Sequence, residues 1–129
     1  MEPMSSEVLE LLQRANPAVV ATVRKDGAPV SSAVWYLWAD GEVLLSMGAS
    51  SPRRRHLERD PRLTLTVLDD ASWYRQVTIH GEVVELGDDT DRAIIDRLSM
   101  HYEGTPYADR VHENAFARVR VTGWNTFGV

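Results

Sequence analysis

Three arginines stand side by side in the segment Ser50-Ser51-Pro52-Arg53-Arg54-Arg55-His56-Leu57-Glu58-Arg59-Asp60-Pro61, within a chain whose net charge is −5. Ser51 is a good helix N-cap, and Pro52 suits the first helical position. The spacing predicts a helix from residue 52 to about residue 59, ended by Asp60-Pro61 because the residue before a proline avoids helical angles. Arg53, Arg54 and Arg55 then fill the first turn. A helix N-terminus carries partial positive charge, so each cation there costs a few tenths of a kcal/mol. Two readings stand. One is a solvated face, helped by an Arg54–Glu58 pair at i,i+4. The other is an anion site, in which free backbone N–H groups, a serine hydroxyl and guanidinium groups converge on a phosphate.

Other chemistry finds little support. The chain has no cysteine, which excludes disulfides, thiolate metal sites and cysteine nucleophiles. His56, His80, His101 and His112 lie far apart and show no paired ligand spacing, so no metal site is expected. Ser31, Ser32 and Ser46 fall on predicted strands without a nucleophile-elbow pattern. The carboxylates sit mostly in turns, so no residue is assigned a catalytic acid–base role. Neither a dinucleotide fingerprint nor a Walker loop occurs.

The charge distribution narrows the ligand class. Residues 53–62 carry five basic residues against Glu58 and Asp60, giving +3, and the rest of the chain carries 9 − 17 = −8. A basic stripe of the kind that tracks nucleic acid is missing. One basic knot on an acidic body suits a small anion held at one place.

The elements that must position this knot can be read from periodicity. At 129 residues, with 43% hydrophobic and 26% charged residues, the chain is expected to form a single soluble domain over residues 1–129. No apolar run reaches membrane-spanning length, and the acidic N-terminus lacks the form of a signal peptide, so a cytoplasmic protein is expected. Residues 5–15 place Val8, Leu9, Leu11 and Leu12 at helical spacing before Asn16-Pro17. Residues 18–48 read as strand, turn, strand, turn, strand, with Asp26-Gly27 and Asp40-Gly41 as the turns. On the second of these strands Val30, Ser32, Val34, Tyr36 and Trp38 would share one face. The other face would carry Ser31, Ala33, Trp35 and Leu37, so that one side meets the core and the other a ligand or partner.

Beyond the arginine helix, Arg62–Asp69 alternates with Leu63, Leu65 and Val67 inward. The segment Asp69–Arg75 reads as a loop carrying Trp73 and Tyr74. Gln76–Leu86 is a long strand, in which Gly81 marks a bulge or a close backbone approach. Residues 90–102 form an amphipathic helix through Ala93, Ile94, Leu98 and Tyr102. Residues 103–114 form a loop, and residues 115–127 form the last strand. Six strands joined mostly by short turns, with peripheral helices, predict a mainly β (α+β) antiparallel barrel. Packing in the core or between subunits accounts for most aromatics. The Trp73-Tyr74 pair in a polar loop needs something to cover it.

Three segments, taken together, resemble a known family: Ala21–Ser46, Ser51–Asp69 and Tyr74–Leu86. Residues 102–110 and the closing residues 118–125 fit the same pattern. The chain resembles the flavin-reductase-like split β-barrel group related to pyridoxamine phosphate oxidase. Within it, the deazaflavin-dependent oxidoreductase branch, which uses coenzyme F-420, is the nearest match. The resemblance spans about residues 8–126. It implies a six-stranded split barrel, a homodimer, and a cofactor groove at the dimer interface with the phosphate at the basic helix start. Arg53 falls where the family usually has a phosphate-binding lysine, and Arg55 matches the arginine that follows. Ser50 and Ser51 belong to the loop that would wrap the phosphate. Ser32, Val34 and Trp35 fall on the strand that lines the flavin ring, as do Ser46 and Met47 on the next. Trp73 and Tyr74 would come from the partner subunit.

Arginine in place of lysine at 53 keeps the charge but changes the geometry. His56 replaces a common asparagine. The implied activity is hydride transfer to a planar conjugated small molecule such as an enone or quinone, with coenzyme F-420 or, alternatively, FMN as cofactor. Two rival classes are a flavin-binding protein without turnover and a barrel that stacks single-stranded nucleic acid on its aromatics. The acidic body opposes the second.

Overall fold

A computed structural model describes residues 2–129. Three helices and seven strands follow one another as α1 (Ser6–Gln13), β1 (Ala18–Val23), β2 (Pro29–Val34), β3 (Leu37–Ala39), β4 (Glu42–Gly48), α2 (Pro52–Arg59), β5 (Arg62–Asp69), β6 (Ser72–Asp88), α3 (Ala93–Glu103) and β7 (Asn114–Phe127). The strands form one antiparallel sheet in the order β2-β1-β5-β6-β7-β4-β3.

The edges of this sheet explain its shape. β2 and β3 lie at opposite ends of the order, yet only Trp35 and Tyr36 separate them. Three Cα steps reach at most about 11 Å. Six strand spacings in a flat sheet would hold the edges about 29 Å apart. The sheet therefore curls into an open barrel whose edges are joined by two residues rather than by a ladder.

The expected count of six strands is corrected here to seven. The second predicted strand breaks at Trp35-Tyr36 into β2 and β3. The expected alternation nevertheless continues through the crossing, with Val34, Tyr36 and Trp38 all packed toward the core. Tyr36 turns fully inward, and its hydroxyl donates to Leu12 O at 2.8 Å, at the end of α1. β2 meets the core only at its end, through half-buried Val34, and its other five residues are exposed.

The other strands alternate as well. Leu63, Leu65 and Val67 of β5 point inward, as do Val77 and Ile79 of β6, Ala115, Ala117 and Val119 of β7, and Val43, Leu45 and Met47 of β4. Val8, Leu11 and Leu12 of α1 join the same cluster. The Asp40-Gly41 turn has positive φ at both positions (55° and 74°), as a two-residue hairpin demands. Gly81 sits at a register shift, where an added Cβ would lie 2.4 Å from Val119 Cγ1. The Val119 side chain, with Arg120 O 3.2 Å away, thus leaves no free room for a side chain there.

Two element boundaries differ from expectation. Trp73 and Tyr74 stand on β6, because the hairpin turn is only Asp70-Ala71. Helix α3 starts at Ala93 and buries Ile95, Leu98 and Ser99, leaving Ala93 exposed. Of the expected stripe Leu98 and Tyr102 face inward, joined by Ile95 and Ser99, and Asp89 ties the helix start by accepting from Ile94 N at 3.2 Å and Ile95 N at 2.9 Å.

Candidate cofactor site

The basic helix forms as its sequence dictates. Ser51 Oγ accepts from Arg54 N at 3.4 Å, Pro52 occupies the first turn, and the helix ends at Asp60. Its three arginines then part company. Arg54 turns back to Asp88 Oδ1 at 2.8 Å and Ala49 O at 3.1 Å, so the expected Arg54–Glu58 pair is replaced by a longer-range one. Arg55 donates to Ser50 O at 2.9 Å and stays exposed. Arg53 is half-buried, donates to Ser32 Oγ on β2, and has no carboxylate partner among the described residues.

Burial holds the Arg53 guanidinium below its ordinary pKa, though it remains a cation. A half-buried charge without a counter-ion is costly unless something else neutralises it. This separates the two readings of the arginine run. Arg54 pairs with Asp88 and Arg55 is exposed to water, whereas Arg53 is half-buried without a carboxylate partner among the described residues.

Arg53 stands between two hollows. The larger, of about 620 Å³, is bordered by Ala33, Val34 and Trp35 at the β2 edge, Ser46 of β4, Ile95, Leu98 and Tyr102 of α3, and Tyr107. Arg53 and Asp70 are its only charged lining residues among those described. The smaller, of about 210 Å³, lies between β1, β2 and the start of α2, lined by Thr22, Val30, Ser32, Ser51, Pro52, Arg53 and His56. A long, largely apolar groove ending in a cationic pocket has the form of a small-molecule site.

Aromatic rings build one wall of the groove. Trp35 stacks on Tyr102 with ring centroids 5.3 Å apart and planes at 11°, and Tyr107 meets Trp35 edge-on at 6.1 Å. Tyr102 is fixed from behind, its hydroxyl donating to Asn16 O at 2.7 Å. Burial pushes its phenol up to about 12, so the proton stays on. Tyr107 is placed by Asp96, whose Oδ1 accepts from Tyr107 N at 2.9 Å and from Arg110 Nη1 at 2.6 Å. Asp70 reaches the groove because its N–H donates to Asn16 Oδ1 at 3.1 Å.

The structure thus brings Ser32, Val34, Trp35, Ser46, Ser51 and Arg53 together around the two hollows. It does not bring Met47, Ser50, Arg55, Trp73 or Tyr74 there. Met47 follows Ser46 on the strand and so points into the core. Ser50 and Arg55 satisfy each other beside the pocket. Trp73 and Tyr74 are 71% and 78% exposed and touch neither hollow in this chain. The sequence offers Leu98 and Tyr102 only as part of a helix face, and it does not point to Ile95 or Tyr107 as groove residues. The missing signal was that the helix packs over the gap where β2 gives way to β3.

The family model for pyridoxamine 5'-phosphate oxidase matches residues 4–127, and the chain belongs to this family. An F-420 reductase of solved structure is 27% identical, with a TM-score of 0.83 over 96% of this chain and 98% of that one. A conserved hypothetical protein from Mycobacterium tuberculosis is 24% identical, with a TM-score of 0.78 over 97% of this chain and 85% of that one. An FMN-binding, pyridoxamine 5'-phosphate oxidase-related protein from Nostoc punctiforme shares the fold at 12% identity, with a TM-score of 0.71 over 98% of this chain and 84% of that one. A search of the curated proteins found no match. No helix of the described residues is long and apolar enough to cross a membrane.

Proposed function

We propose that the chain is a flavin-type oxidoreductase that binds coenzyme F-420 and passes hydride between the reduced cofactor and a planar conjugated acceptor such as an enone or quinone. The carrying observation is Arg53, a half-buried cation without a counter-ion that stands where the apolar groove meets the pocket at the start of α2. The residues present fit such a cofactor. Arg53, Ser32 and Ser51, with the Arg53 backbone N–H at the helix start, offer charge and donors to a phosphate. The Ser51 hydroxyl accepts from Arg54 N and keeps its own proton free to donate. Val34, Ala33, Ile95 and Leu98 exclude water from the groove, and the Trp35–Tyr102–Tyr107 group offers aromatic faces to a planar ring system.

A deazaflavin or flavin, when bound, supplies the hydride chemistry itself. The chain's own task is to bind, orient and shield, so no residue is assigned as general base. The anion pocket would serve a phosphate on either ring system, so FMN is the alternative cofactor.

We further infer a homodimer in which Trp73 and Tyr74 of one chain cover the groove of the other. Their exposure supports this, as does β2, an edge strand with five of its six residues exposed. The test is a fluorescence titration of the purified chain with F-420 and, separately, FMN, followed by oxidation of the reduced cofactor with a panel of enones and quinones. Saturable binding with acceptor-dependent turnover is expected. Binding without turnover on any acceptor would reduce the protein to a cofactor-binding one, and failure of both cofactors to bind would overturn the reading.

A further inference from the structure

The pocket at the start of α2 contains a titratable group that phosphate neutralisation by Arg53 leaves unused. His56, on the second turn of α2, is only 8% exposed and lines the pocket with Thr22, Ser32, Ser51 and Arg53. Its Nδ1 lies 2.9 Å from Thr22 Oγ1 on β1. Among the described residues no protein group is hydrogen-bonded to its Nε2. The charges acting on the ring are all positive. Arg59, Arg55 and Arg53 come from its own helix, and Arg24 comes from the turn after β1. β2 contributes only Val30 and Ser32 to the pocket, and no carboxylate lines it.

These surroundings hold the free protein's His56 neutral. Burial is the main cause and the four arginines add to it, so its pKa lies below the ordinary value. A neutral ring carries a single proton; where it sits on Nδ1 and is donated to Thr22, Nε2 presents a lone pair that repels an anion, whereas the protonated ring donates from both nitrogens. An anion in the pocket reverses the balance, because it offsets Arg53 and places negative charge beside the ring.

We propose that His56 is a proton-coupled ligand for the phosphate group in this pocket: it takes up one proton from solvent as the anion enters, then donates from Nε2 while Nδ1 stays with Thr22. This rests on the reading of the groove as a cofactor site. Binding is then linked to pH in a definite direction. The ring's pKa is higher with the anion bound than without it. Affinity is unaffected above the bound-state value, climbs as pH falls between the two values, and levels off below the free-state value.

The test uses the full chain and three probes: inorganic phosphate, FMN and F-420. Ring C–H resonances of the histidines are followed by NMR against pH with and without each probe. The His56 signal is identified by its loss in His56→Asn. If that variant does not fold, His80→Gln, His101→Gln and His112→Gln identify it by elimination. Dissociation constants are measured over the same pH range for wild type and His56→Asn. The second ionisation of a phosphate monoester, near pH 6, is common to both proteins and cancels in the ratio.

The expected result is a His56 midpoint below its ordinary value of about 6.5 in the free chain, moved upward by bound ligand. The wild-type advantage in affinity over His56→Asn should grow by up to about tenfold per pH unit as pH falls through the window. A cofactor that binds without moving the His56 midpoint overturns the proposal and leaves the cofactor reading intact. If neither cofactor binds, the cofactor reading fails. The phosphate arm then decides this proposal: an upward midpoint supports an anion site for another ligand, and an unmoved one overturns it.

Discussion

Replacing Arg53 by alanine removes the half-buried cation of the α2 start, for which the described residues supply no carboxylate. In the free chain its only hydrogen-bond acceptor is Ser32 Oγ, and it has no ion pair among the described residues. Its loss therefore leaves no buried carboxylate stranded, and a half-buried charge disappears with it. Folding stability should be little changed. Cofactor binding should not be spared. A hydrogen bond to a charged group contributes about 1.5–3 kcal/mol, because the partner left behind stays desolvated. At 1.4 kcal/mol per tenfold, that is a dissociation constant raised by about 10- to 100-fold. Arg53→Lys keeps the charge, loses the planar fork, and should fall between the two. Arg55→Ala is the control, since Arg55 is spent on Ser50 O at 2.9 Å and lines neither hollow. The assay is fluorescence titration with F-420 and FMN beside a thermal melt. Unchanged affinity in a folded Arg53→Ala, or an equal loss in Arg55→Ala, would refute the reasoning.

Three further outcomes test the scaffold. Tyr36→Phe strands Leu12 O, which now accepts from the Tyr36 hydroxyl at 2.8 Å, and should cost about 1–3 kcal/mol in a urea titration. Gly81→Ala forces a Cβ to 2.4 Å from Val119 Cγ1 and should cost about 1–3 kcal/mol by overpacking. Added to Val119→Ala, the same change should cost markedly less, and additive losses would argue against the contact. The Asp109 carboxyl is held down to about 2 by the N–H groups of Val111 and His112 and by the His112 ring. Its folded pKa is depressed, so the order it gives the loop is present above the ordinary value of about 3.9 and is lost as pH falls through about 2. Hydrogen exchange at the Val111 and His112 amides should show protection kept at pH 4 and lost near pH 2, whereas loss already at pH 4 would contradict the assignment.

Much of this protein was legible in its residues. Ser51-Pro52 and Asp60-Pro61 bound α2 because capping and proline sterics act within a few residues. The alternation Leu63, Leu65, Val67 sets the core face of β5 because each strand residue points opposite to the next. Asp40-Gly41 turns the chain because its backbone tolerates positive φ. The family resemblance on which the cofactor expectation rested is upheld over residues 4–127.

What lay beyond the sequence was long-range. A period-two pattern running through Trp35-Tyr36 gave no sign that the chain there crosses from one edge of the sheet to the other, which makes seven strands of the expected six. Three adjacent arginines look alike in sequence. Only the tertiary structure supplies Asp88 to Arg54 and Ser50 O to Arg55 while leaving Arg53 beside Ser32 without a counter-ion. Tyr102 and Tyr107 join Trp35 because α3 packs over the open seam of the barrel, 67 and more residues further along the chain. Local sterics and hydrogen bonds settle short-range structure, and so the sequence determined the helices, the turns and the basic knot. Which charge stays unpaired, and which rings face a common groove, depends on partners distant in sequence, and those only the folded chain brings into contact.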